Sequence, residues 1–124
     1  MKKMLAVLVG LTLAGWALSG WPQGQNPTPA PMDCSTGPVQ RAYGGSDWLV
    51  YSCADRRSVV VVSAPGSRAG PFYFMLNATA AGHNVVGEGN GDRTLTDRAY
   101  AQLAALSEAD LNQLVTQTRA VPKK

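Results

Sequence analysis

The sequence predicts an α+β domain, an antiparallel meander of about four strands followed by two short C-terminal helices packed on one face. Three observations predict it. Runs of β-branched and aromatic residues fill the first half of the chain, separated by Gly, Pro and Asp punctuation, and such side chains suit a pleated surface. Beyond Asp92 the apolar spacing lengthens from two residues to three or four, the period of an amphipathic helix. The order is strands first and helices second, which builds a meander rather than a parallel βαβ sheet. At 124 residues there is room for one small domain. That excludes a multidomain enzyme, a solenoid array and a full dinucleotide-binding fold. With 45% hydrophobic and only 15% charged residues, a highly charged disordered chain is excluded too.

Residues 1–19 have the three parts of a cleavable secretory leader. Lys2 and Lys3 form a positive end, Met4 to Leu18 is an apolar run, and Ala17-Leu18-Ser19 puts small side chains where a signal peptidase reads. The run falls short of the roughly 18 to 20 residues that span a bilayer, so no stable membrane span is expected after cleavage. The pattern resembles bacterial leaders and predicts a periplasmic or extracellular protein. Residues 20–32 read as a Pro-rich linker, because Pro22, Pro27, Pro29 and Pro31 lock φ and remove backbone donors. The folded domain is expected over residues 33–121, with residues 122–124 as a tail.

Within the domain, Val39 to Tyr43 is a short strand candidate, broken by Gly44-Gly45. Asp47 to Ala54 alternates Trp48, Val50 and Ser52 with Leu49, Tyr51 and Cys53. Asp55-Arg56-Arg57 turns the chain into Ser58 to Ala64, whose four valines are apolar on both faces and predict a central strand. Pro65-Gly66 opens a turn that runs to Gly70. Phe72 to Asn77 places Phe72, Phe74 and Leu76 on one side, Tyr73 and Met75 on the other. His83 to Glu88 forms a last short strand, and the glycine-rich run to Asp92 ends the sheet. Thr94 or Thr96 is positioned to cap a helix over Asp97 to Leu106, with Ala99, Tyr100 and Leu103 on its apolar face. Ser107-x-x-Asp110 is an acidic capping box for a second helix from Glu108 to Arg119, striped by Leu111, Leu114, Val115 and Thr118. Pro122 stops it.

Cys34 and Cys53 are the only cysteines, and both lie outside the leader. In an oxidising compartment such a pair in a small domain predicts a disulfide. They lack C-x-x-C spacing, and one distant histidine does not complete a zinc site, so no metal or cofactor is expected. The formal charge is +3, but Lys2 and Lys3 belong to the leader, leaving nine basic against eight acidic residues. No basic block remains, which argues against nucleic-acid binding.

Catalytic chemistry is thinly represented. His83 is the only candidate base, with no neighbouring carboxylate to orient it, and no serine stands in a G-x-S-x-G elbow. No catalytic residue is assigned. Gly87-Glu88-Gly89-Asn90-Gly91-Asp92 offers either amides for a phosphate or the oxygens of Glu88, Asn90 and Asp92 for calcium. The twelfth position of an EF-hand loop, however, is Ala99. With His83 these three form the candidate ligand loop. Asn77-Ala78-Thr79 matches a glycosylation sequon, read here as a strand end. The apolar strands leave Tyr73, Met75, Val60 and Val62 on a face that needs a cover, either the N-terminal segment or a partner.

Tyr51-Ser52-Cys53-Ala54-Asp55-Arg56, with the apolar strand Ser58 to Val62, resembles the opening of periplasmic C-type lysozyme inhibitors. The resemblance covers about a dozen residues. It implies a closed β-barrel with an inhibitory Ser-x-x-Gly loop. Ser63-Ala64-Pro65-Gly66 fits those letters but comes early and lacks the following tyrosine. That family's second cysteine, near the C-terminus, is also absent. The principal expectation is therefore an exported, non-enzymatic module that binds an unidentified protein or envelope component through Tyr73, Met75, Val60 and Val62. A homodimer through the same face is compatible with it. A small-ligand or metal carrier using the Gly87–Asp92 loop and a lysozyme-inhibitor-like protein are the alternatives.

Overall fold

The computed structural model describes residues 32–122, and the predicted leader and residues 20–31 of the linker lie outside them. The elements run β1 (Thr36–Tyr43), β2 (Ser46–Ser52), β3 (Val59–Ser63), β4 (Phe72–Thr79), β5 (Gly82–Gly89), α1 (Arg93–Ala104) and α2 (Glu108–Arg119). All five strands pair antiparallel in the order β1-β2-β3-β4-β5. The meander thus has five strands rather than about four. The sheet is open, with β1 and β5 at its edges, and is not the closed barrel that the lysozyme-inhibitor resemblance implies.

The valine strand β3 is central, as its two apolar faces require. Its register pairs Val61 with Val50 on one side and Phe74 on the other. Alternate residues point to opposite faces, so Trp48, Val50, Val59, Val61, Phe74 and Leu76 all line the same side, where they are buried under both helices. Leu103 of α1 and Leu111, Leu114 and Val115 of α2 complete that core. Trp48 is fully buried, and its indole N–H donates to Tyr43 O at 3.0 Å. Trp48 and Phe74 pack with ring centroids 5.3 Å apart.

Two helix details differ from expectation. α1 begins at Arg93 rather than Asp97, because Asp92 rather than a threonine is the cap and accepts from Thr94 N. Thr96 is consequently inside the helix and buried, and the stripe facing the sheet is Thr96, Ala99 and Leu103. Tyr100 falls at the margin of that stripe and is 47% exposed. α2 has its expected bounds. Ser107 and Asp110 form the reciprocal capping box, and Leu111, Leu114, Val115 and Thr118 are buried.

Cys34 and Cys53 form a disulfide across 19 residues. It ties the segment before β1 to the end of β2, and Ala54 N donates to Asp33 O beside it at 2.7 Å.

Candidate functional site

The face of the sheet turned away from the helices is set by the same alternation that fills the core. Cross-strand register aligns Leu49, Val62, Tyr73 and Glu88 in one row and Tyr51, Val60, Met75 and Val86 in the next. The four residues expected to form an interaction surface are thus direct neighbours: Val60 opposes Met75, and Val62 opposes Tyr73. Val60, Val62 and Met75 are half-buried, while Tyr73 is 40% and Val86 51% exposed.

At one end of this face a groove of about 850 Å³ opens between the β3–β4 loop and the end of β5, with Val62, Pro65, Phe72, Tyr73, Glu88 and Asn90 among its walls. The loop, residues 64–71, is held at both ends. Ser63 Oγ accepts from Phe72 N at 3.1 Å, and Ser67 N donates to Ala64 O at 3.0 Å. Ala69 is buried, and Arg68 O accepts from Asp92 N at 3.0 Å. The far wall is equally constrained. Gly89 has φ +137°, and a Cβ there would run into Pro71 O, so glycine is what permits the two walls to approach. The glycines near residue 90 therefore serve close packing against this loop, and strand pairing continues through Gly89.

Tyr73 and Glu88 are an exposed cross-strand pair. The Tyr73 hydroxyl donates to Glu88 Oε1 at 2.9 Å. That hydrogen bond, together with the carboxylate's charge, raises the Tyr73 phenol above its ordinary value.

The candidate ligand loop divides between different tasks. Glu88 and Asn90 line the groove. Asp92 does not: its carboxylate caps α1 and pairs with Arg68 at 3.0 Å. His83 lies at the other end of β5, where its Nε2 is 2.9 Å from Leu103 O in the last turn of α1. A carbonyl only accepts, so Nε2 carries the proton there. The calcium reading of Glu88, Asn90 and Asp92 is not assembled, because Tyr73 engages one carboxylate while Arg68 and Thr94 engage the other. Among the described residues, no three His, Cys, Asp or Glu side chains cluster.

Sequence reasoning missed the β3–β4 loop, read only as a turn. Its signal was length: eight residues separate β3 from β4, more than the two to five of an ordinary hairpin, with Pro65-Gly66 and Gly70-Pro71 stiffening its ends. It also missed that Glu88 and Asn90 converge with Val62 and Tyr73, because residues far apart along the chain meet only through strand register.

No family model matches this chain, and no curated protein and no solved structure is significantly similar to it.

Proposed function

We propose that this chain is an exported, non-enzymatic recognition module that holds a protein or envelope-component partner on the outer sheet face. The observation that carries the reading is the contiguous apolar surface of Leu49, Tyr51, Val60, Val62, Tyr73 and Met75 on the side opposite the helices. Contiguous exposed apolar patches mark interaction sites. The leader-like residues 1–19 and the Cys34–Cys53 disulfide support export, since such staples persist in oxidising compartments. Among the described residues no helix is long and apolar enough to cross a membrane.

The test is crosslinking of the mature protein in envelope extracts, comparing wild type with Met75→Arg and Val62→Arg. The wild type is expected to give a discrete adduct that both variants lose while keeping their Tm. An adduct that survives both changes moves the interface elsewhere. A second reading, a small-ligand carrier, is favoured by the groove, whose roughly 850 Å³ lies within the range of ligand sites. Native mass spectrometry of the purified exported protein separates the two. A stoichiometric small-molecule adduct supports the carrier. A bare monomer or dimer supports the recognition module and reports the leader cleavage site in the same spectrum.

A further inference from the structure

We infer that the outer face takes an extended cationic peptide segment, seating a Lys or Arg side chain against the Tyr73 ring and the Glu88 carboxylate. The inference rests on the recognition reading above and supplies the partner's chemistry. Three observations carry it. First, Glu88 is the one charged side chain among the described residues that line the groove, and the Tyr73 hydroxyl engages its Oε1. Second, the Tyr73 ring stands beside that carboxylate, 40% exposed and anchored through its hydroxyl. A cation is attracted to an aromatic face and forms charge-assisted hydrogen bonds to a carboxylate, so the pair offers both at once. Third, the outward-facing strand positions carry acidic but no basic side chains, the one nearby cation, Arg68, being paired with Asp92. Strand alternation places Asp47 on the same face as Leu49 and Tyr51, at the end of the sheet where Ala64 N meets Asp47 O. Neither of the two apolar rows contains a Lys or Arg.

The spacing defines the ligand further. In an extended chain, alternate side chains lie about 6.6 Å apart, the repeat that separates the Tyr73 row from the Met75 row. A Lys or Arg on Tyr73 and Glu88 therefore sets an apolar residue, two positions away, on Met75 and Val60. An anionic membrane surface or nucleic acid meets the wrong charge here.

The test begins by panning a phage-displayed library of random dodecapeptides on the mature protein. Enriched peptides are then synthesised with Lys or Arg and with norleucine at the basic position, and their affinities measured calorimetrically. On wild type, the norleucine peptides are expected to bind about tenfold more weakly, the scale of one charged hydrogen bond. On Glu88→Gln, which keeps an acceptor for the Tyr73 hydroxyl, the difference is expected to shrink to about threefold, the share the Tyr73 ring retains. Equal affinity of the basic and norleucine peptides for wild type overturns the inference without needing any variant. In that case, loss of binding in Val62→Arg leaves the outer face standing as an interface of different chemistry. Undiminished binding in Val62→Arg removes the face as well. If no peptide is enriched the cationic-peptide inference falls, and the crosslinking comparison alone judges the recognition reading.

Discussion

Thr118 and Ser52 make a buried polar contact between α2 and β2. Their hydroxyl oxygens are 2.6 Å apart, and Thr118 Oγ1 also lies 2.7 Å from Val115 O. Both side chains are almost wholly inaccessible, so removing one partner orphans the other. Thr118→Val is expected to cost about 1 to 3 kcal/mol in urea unfolding, whereas adding Ser52→Ala restores most of that loss because no unpaired hydroxyl is left. A second residue-scale effect is acid lability. Burial alone would raise the Asp55 carboxyl, but hydrogen bonds from the Arg57 amide and from the Ser58 hydroxyl and amide outweigh it, and the net value lies below the ordinary 3.8. The unfolded chain then binds a proton at a pH where the folded one does not. Asp55 therefore adds stability above its ordinary value, and that contribution is lost as pH falls through the lower folded value. Asp55→Asn is expected to be the less stable protein at neutral pH. The two urea midpoints should converge between about pH 5 and about pH 2. The turn at Asp55-Arg56-Arg57 was legible in the sequence, but not that its carboxylate gathers three bonds from the two residues that end it.

At the scale of the element, β4 separates stability from recognition along a single strand. Phe74 is 2% exposed beneath the helices and touches Trp48, Phe72 and Tyr100. Tyr73, the next residue, faces outward. Phe74→Ala is expected to cost about 3 to 5 kcal/mol, and Tyr73→Ala about 1 kcal/mol or less, with partner binding affected in the opposite order. Denaturant titrations beside the crosslinking assay check both. A Tyr73→Ala loss as large as that of Phe74→Ala would show that the outer face is structural. Strand alternation made this division legible from the residues alone. Helix termini were legible only where the cap was unambiguous. Ser107-Asp110 set the start of α2 correctly. Asp92 was overlooked as the α1 cap because it sits in a glycine-rich run that reads as loop. The error moved the helix start by four residues and left Tyr100 in a stripe whose third member is Thr96.

For the whole molecule, the Cys34–Cys53 link closes a loop within a domain too small to bury a large core. Replacing both cysteines by alanine is expected to lower stability by roughly 3 kcal/mol, from the entropy of a loop of about twenty residues, read as a fall in Tm that reductant reproduces in wild type. The sequence by itself determined the α+β class, the strand order, the face each strand side chain takes, the central place of the valine strand and the pairing of the two cysteines. These follow from local period, turn chemistry and the presence of only two thiols, so no distant contact is needed to see them. Only the tertiary structure decided that residues 64–71 stand as a wall, that Glu88 and Asn90 join Val62 and Tyr73 in one groove, and that His83 and Asp92 are engaged elsewhere. The reason is physical. A groove exists between strands, and which side chains share it depends on register and on the approach of backbones such as Gly89 to Pro71, separations that no single stretch of sequence encodes.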